Sequence, residues 1–294
     1  MNEQLKIKVD RAIKLIQSAS KIASANGCKE IEVAYSGGKD SDVILELTKM
    51  SGVSYRAIYK NTTIDPAGTI KHAQDMGSEI LRPKKTFFEI VSKMGFPNRF
   101  KRFCCRELKE YKVLDYAIIG VRREESVKRA KRYVEPEECR VYSKNEKARH
   151  YFPILEWTSK DVEEFIFERG IKCAPVYYDE QGTFHVERRL GCVCCPLKYK
   201  KARIEQFKQH PNMVKAYIRA GKKFLDTHKD SKTYKAYNGD VYAWFVRDLF
   251  YDGDNDGWDR LNNGFLPHTN YKEFLEDYFK IKFKELSNRE TPIV

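Results

Sequence analysis

The chain has 294 residues, enough for one large α/β domain with an added helical region or for two domains, and 41% of its residues are apolar, as in a globular protein. No apolar run approaches the roughly 20 residues that cross a bilayer, and the first residues lack the continuous apolar core of a secretory signal, so a cytoplasmic location is expected. The 55 basic against 42 acidic residues give a formal charge of +13, which suits polyanionic partners through counterion release and equally suits a solvated lysine surface.

In chain order, Leu5, Val9, Ile13, Ile16 and Ile22 recur at helical spacing, so an amphipathic helix is expected over 1–25. Strand-like runs follow at 31–35, 55–60, about 79–82 and 116–121, separated by helical patterns such as 40–50 and 67–76. That alternation predicts an α/β fold, a parallel sheet with right-handed crossovers and flanking helices. Residues 159–169 read as a helix with Ser159 as its N-cap. From about residue 200 the texture becomes basic and aromatic, with helical patterns at 198–209, 213–228, 239–250 and 271–286. Two regions are therefore expected, a nucleotide-binding domain over 1–198 and a basic, aromatic helical region over 199–294. Most of the aromatics there (Tyr217, Phe224, Tyr234, Tyr237, Tyr242, Trp244 and Phe245) are read as core, with stacking on nucleic-acid bases as the alternative.

The most specific local signal is Ser36-Gly37-Gly38-Lys39-Asp40-Ser41, placed where an apolar strand pattern gives way to a helical one. Two glycines let backbone approach phosphate oxygens, the helix start points N–H groups at the anion, and Lys39, Ser36 and Ser41 add a charge and hydroxyl donors. The spacing is not that of Gly-x-x-x-x-Gly-Lys-Ser/Thr, nor of Gly-x-Gly-x-x-Gly. In a parallel sheet the arginines after the 116–121 strand should emerge on the same edge as this loop.

These six residues resemble the pyrophosphate (PP) loop of the adenine nucleotide α-hydrolase superfamily. Gly120-Val121-Arg122-Arg123-Glu124-Glu125-Ser126-Val127-Lys128-Arg129 and Phe152-Pro153-Ile154-Leu155-Glu156-Trp157-Thr158 are similar to segments of its phosphoadenylylsulfate (PAPS) reductase branch, in the same order. The resemblance covers about residues 30–200 and implies ATP with Mg2+ at Ser36, Gly37, Gly38, Lys39, Asp40 and Ser41. Arg122, Arg123 and Arg129 would grip phosphates, with Glu125 orienting Arg122 and Ser126 beside them. Asp40 is expected as a magnesium ligand or helix cap.

Eight cysteines without an export signal suit a reducing compartment, where thiols bind metal or do redox chemistry. Cys28, Cys139 and Cys173 stand alone and read as small buried apolar residues. Cys192 and Cys195 form a C-x-x-C, with Cys104 and Cys105 as a second pair, and these residues by themselves leave zinc, an iron–sulfur centre and unligated thiols open. The resemblance to the Cys-Cys and Gly-Cys-x-x-Cys motif of adenylylsulfate reductases implies a 4Fe-4S cluster on Cys104, Cys105, Cys192 and Cys195. Cys194 is an extra thiol, read as spectator, ligand or sulfur-carrying nucleophile whose thiolate its basic surroundings favour. Asp252-Gly253-Asp254-Asn255-Asp256-Gly257 opens like a calcium loop but has Asn263 at position twelve, so an acidic turn is expected instead.

The full PP-loop, with no cysteine after Cys195 in this sequence, looks like an ATP-dependent sulfurtransferase, as in DNA phosphorothioation enzymes and some tRNA thiolases. The acceptor would be adenylylated with loss of pyrophosphate and then receive sulfur bound or relayed by the cluster, and DNA, tRNA and a sulfur-donor protein are the implied partners. An adenylylsulfate or PAPS reductase releasing sulfite is the alternative, and a nucleotide-binding regulator without chemistry is the second.

Overall fold

The computed structural model describes residues 1–98, 100–251 and 270–283; the acidic turn at 252–257 lies outside them. The chain divides into two compact units, Met1–Pro83 with Leu108–Gly191, and Lys84–Glu107 with Cys192–Val294. The expected boundary at 198 therefore falls a few residues late, and the transfer of 84–107 to the second unit has no counterpart in the sequence reading.

The first unit begins with α1 (Glu3–Ala25), whose N-terminus is capped by Asn2 and whose buried residues Leu5, Val9, Ala12, Ile16, Ala19 and Ala23 fall three or four apart on one face. A six-stranded sheet follows, in the order β3-β2-β1-β4-β6-β5, built from β1 (Ile31–Tyr35), β2 (Tyr55–Lys60), β3 (Glu79–Leu81), β4 (Tyr116–Ile118), β5 (Glu137–Ser143) and β6 (Glu146–Tyr151). All neighbours are parallel except β5 and β6. This α/β sheet with flanking helices is the expected class, while the β5–β6 hairpin adds an antiparallel edge that the sequence reading did not include. Helices α2 (Lys39–Ser51) and α3 (Thr69–Asp75) connect the first strands, and α6 (Val127–Arg132) and α7 (Ser159–Arg169) follow in the second half. The cap of α7 is Thr158, not Ser159: its hydroxyl accepts the Asp161 N–H and Asp161 returns the bond in a capping box.

Strand periodicity gives the sheet two unlike faces. Ile31, Val33, Tyr35, Ala57, Tyr59, Ile118 and Tyr151 join the main apolar core with the buried stripe of α1. Glu32, Ala117 and His150, which are register partners across β1, β4 and β6, alternate onto the other face.

The second unit contains α4 (Phe87–Met94), which starts in a capping box from Thr86, most of α5 (Phe103–Leu108), and α8 (Lys200–Gln209), α9 (Pro211–Thr227), α10 (Lys232–Tyr237) and α11 (Val241–Phe245). One helix was expected over 239–250, but α11 passes into a π-type turn at Val246–Tyr251. A last described helix spans Tyr271–Phe279. The core of this unit is aromatic: Tyr217 packs edge-on against Phe87, Phe88 and Phe207. Tyr217, Phe224, Trp244 and Phe245 are buried, as the core reading expected, whereas Tyr234, Tyr237 and Tyr242 are half-buried. No described helix is long and apolar enough to cross a membrane.

Candidate functional site

In the first unit the chain turns at the carboxyl end of β1 and enters α2 through Gly38, which is its N-cap. Gly37 has φ +74°, and a Cβ there would lie 2.8 Å from Thr69 Cγ2, so both conformation and space demand glycine. The Lys39 backbone N–H donates to the Tyr177 hydroxyl at 3.2 Å. Its side chain is only 4% exposed, with Nζ 3.2 Å from Asp40 Oδ2, 3.5 Å from the Arg188 carbonyl and 5.3 Å from the centre of the Tyr177 ring. Ser36 and Ser41 are joined by a 3.2 Å hydrogen bond between hydroxyls, and Ser41 also donates to the Gly38 carbonyl.

The second motif meets this loop where β1 and β4 diverge to opposite halves of the sheet, the usual position of a ligand crevice. A Cβ on Gly120 would sit 2.9 Å from the Asp40 carbonyl oxygen, so the approach of the two segments depends on its absence. Arg122, 3% exposed, donates from Nε to Asp40 Oδ1 at 2.6 Å and from Nη1 to Glu124 at 2.8 Å. Asp40 is thus held between Lys39 and Arg122; the cap position belongs to Gly38, which corrects the helix-cap reading of Asp40. Glu125 accepts the Arg122 backbone N–H but pairs its carboxylate with Arg129, so it positions Arg129, while Asp40 and Glu124 orient the Arg122 guanidinium. Burial lowers the Arg129 pKa, and nearby Arg189 and Arg122 add to the effect while Asp40 opposes it. A cluster of like charges in a half-buried place attracts anions.

Two expected binders act otherwise. Arg123 turns away, donating to the carbonyls of Tyr133 and Val134 and pairing with Glu156. Ser126 caps α6 by accepting the Arg129 N–H. Conversely, Tyr177, Arg188 and Arg189 were missed by the sequence reading: Arg189 donates to the Glu125 carbonyl at 2.7 Å and Arg188 to that of Tyr178 at 2.6 Å. The adjacent basic pair just before Gly191 was the available signal.

Beneath the loop, buried Asp42 accepts from the Tyr35 hydroxyl and lies 3.0 Å from His72 Nε2. These contacts tie the end of β1 and α3 to the first turn of α2. Burial, then Asp42, pushes the Cys173 thiol up. Of the three isolated cysteines only Cys173 is buried; Cys28 is half-buried and Cys139 is exposed on the edge strand, contrary to the expectation for them.

The remaining five cysteines all belong to the second unit. Their charges are felt together: Cys105 and Cys195 both raise the Cys104 pKa, and Cys192 and Cys105 raise that of Cys195, whose largest influence is burial. Fully buried Tyr217 lies within electrostatic reach of Cys195, Cys194, Cys104 and Cys192, and its hydroxyl donates to the Cys194 carbonyl at 3.0 Å. These thiols are of the donor type that an iron–sulfur cluster or zinc takes. They are not drawn into a closed cage, since no three His, Cys, Asp or Glu among the described residues are grouped as metal ligands. Cys194 is buried at φ +51°, with its N–H donating to Gln206. Burial pushes its thiol up to about 12 despite the opposing pull of Lys198, so its surroundings do not favour a thiolate as expected. Arg203, also fully buried, donates to the carbonyls of Pro196, Lys198 and Leu249 and fixes the chain just after Cys195.

An uncharacterized protein of Methanocaldococcus jannaschii, MJ0066, is 30% identical over 186 residues, covering 57% of this chain and 36% of that protein. An uncharacterized 37.8 kDa protein of Escherichia phage 186 is 32% identical over 152 residues, covering 46% of this chain and 42% of that protein. The chain therefore spans well under two thirds of the length of these relatives. Among solved structures, the phosphoadenylyl-sulfate reductase of Candida auris in phosphate complex aligns with TM-score 0.42 and 14% identity over 65% of this chain and 96% of its own. The FMN adenylyltransferase of Candida glabrata aligns with TM-score 0.39 and 14% identity, over 60% and 62%. Residues 30–198 match the phosphoadenosine phosphosulfate reductase domain, more than half of the chain, so the protein belongs to that family and carries its PP-loop type of nucleotide-binding unit.

Proposed function

We propose that this chain is an ATP-dependent sulfurtransferase that adenylylates an acceptor at the Ser36–Ser41 loop and replaces the adenylyl group with sulfur. The carrying observation is the intact loop with its cations in place: buried Lys39 at the α2 start, and Arg122 fixed 2.6 Å from Asp40. An acceptor oxygen attacks the α-phosphorus, the α–β bond breaks and pyrophosphate leaves; hydrosulfide then displaces AMP, so no net oxidant is needed. Lys39 offsets charge on the departing pyrophosphate, aided by the α2 N-terminus, and Mg2+ held near Asp40 would supply further positive charge. Asp40 and Glu124 position Arg122, and Glu125 positions Arg129, for phosphate oxygens. Cys104, Cys105, Cys192 and Cys195 would hold a 4Fe-4S cluster, which would supply thiolate-ligated iron able to bind sulfide.

Charge favours a nucleic-acid acceptor. The second unit holds 26 lysines and arginines against 16 acidic residues, and so ten of the thirteen excess positive charges. The family match itself favours a second reading, a reductase that takes adenylylsulfate or PAPS and releases sulfite.

Anaerobically purified protein incubated with labelled ATP and Mg2+ separates the readings. Pyrophosphate and AMP that require added nucleic acid and hydrosulfide support the transferase. Sulfite release from adenylylsulfate or PAPS without ATP cleavage supports the reductase, and neither product leaves nucleotide binding alone. Iron and acid-labile sulfide, measured on the same preparation and lost in Cys192→Ser, test the cluster.

A further inference from the structure

The second face of the sheet in the first unit is hollow where an α/β protein ordinarily packs apolar side chains. Ala34 on β1 and Ala117 on β4 leave a cavity of about 260 Å³, walled at one end by Ile119, Val121 and Phe152. Its remaining lining is mostly charged or titratable, with Leu114 as the apolar exception. Glu32 and His150 flank Ala117 in register on the neighbouring strands, and both are at least nine-tenths buried. Lys60 enters from the end of β2, Arg132 from α6 and Arg140 from β5.

The anionic members of this group are already engaged. Glu32 accepts the Leu114 N–H at 3.1 Å and pairs with Lys60 at 3.5 Å. Glu138 pairs with Arg132 at 3.4 Å and lies 3.7 Å from His150 Nδ1, whose other nitrogen meets the Tyr142 hydroxyl at 3.1 Å. Arg140 has no carboxylate partner among the described residues and rests near the Tyr142 ring. Lys109 and Glu110, from the segment after α5, contribute one charge of each sign. Burial and then Arg140, Lys60 and Arg132 push His150 down to about 4, which reports three cations converging on one buried imidazole.

We propose that this cavity is a second ligand site of the nucleotide-binding unit, taking a small molecule by its phosphate or carboxylate group, held by Lys60, Arg132 and Arg140 beside His150. The site is built on the strands that lead into the two nucleotide loops, and Val121 is the loop residue that lines it, while none of the cations and hydroxyls assigned to the nucleotide does. It therefore stands independently of whether ATP is cleaved.

The test follows the His150 imidazole by NMR in the full chain, assigned through His150→Gln, with the PP-loop filled by a non-hydrolysable ATP analogue. Inorganic phosphate and acetate are added in separate arms. An added anion should raise the His150 titration midpoint by about one unit, because it favours the imidazolium. Arg140→Ala should weaken binding about tenfold, the loss of one charge-assisted hydrogen bond. Ala117→Leu, which fills the hollow and keeps every charge, should abolish binding. A response to phosphate alone assigns a phosphoryl group, and a response to both assigns oxyanions in general. An unmoved His150 in both arms, displacement of phosphate by the ATP analogue, or undiminished binding in Ala117→Leu would overturn the proposal.

Discussion

The two units use charge in opposite ways. The first has 29 basic and 26 acidic residues, and its loop cations are paired with carboxylates: buried Lys39 and Arg122 share Asp40, and half-buried Arg129 pairs with Glu125. The second carries its surplus on helices around an aromatic core, and its thiols are pushed towards the protonated form, Cys104 first by its hydrogen bond with Cys105 and Cys194 and Cys195 first by burial. A pre-paired site is held in place by its own network, whereas thiols would have to lose protons before they could ligate the proposed cluster.

The largest expected effect tests the first unit. Lys39→Ala should lower ATP cleavage about 100- to 1,000-fold, as for loss of one group that stabilises transition-state charge, while leaving the iron content of the second unit unchanged. An equal loss of iron would break the separation of roles.

Arg203→Ala should then destabilise the fold by about 3 kcal/mol in urea unfolding, because three buried carbonyls lose their donor. It should also lower loading of the proposed cluster, since two of those carbonyls lie within three residues after Cys195, yet leave ATP affinity as it was.

The third effect depends on pH. His150 is lowered to about 4, so the folded state stays neutral while the unfolded chain, near 6.5, takes up the proton first. Stability is therefore lost as pH falls from about 6.5 towards 4, on the order of 3 kcal/mol in full. His150→Gln should flatten that slope when unfolding is compared at neutral and mildly acidic pH.

The smallest effect is a pair of matched substitutions. Gly37→Ala places a β-carbon in the left-handed region 2.8 Å from Thr69 and should cost about 1–2 kcal/mol together with ATP affinity. Gly221→Ala meets Phe96 at 2.6 Å and should cost a comparable 1–3 kcal/mol without touching ATP affinity, which calorimetric titration of both variants would check.

Much of the nucleotide-binding unit was legible because its signals are local. Strand and helix periods fixed α1, β1, α2 and β2 to within a residue or two, and the Ser36–Ser41 composition marked the loop. The β5–β6 hairpin was harder to see, since charged residues interrupt its alternation and its two-residue turn lacks glycine. Roles within the arginine segment were not legible at all. Arg122 and Arg123 are neighbours of one type, and only the fold sends one to Asp40 and the other to the carbonyls after α6.

By itself, then, the sequence determined the mostly parallel α/β sheet and the glycine-rich loop at the end of β1. Periodicity and glycine content are properties of consecutive residues. The tertiary structure alone decided that 84–107 joins the second unit, that Tyr177 meets Lys39 and Arg189 meets Glu125, that Cys194 is buried as a thiol, and that alanines open a hollow beside His150. Each of these depends on which distant residues share a face or a dielectric environment, and no local pattern encodes that.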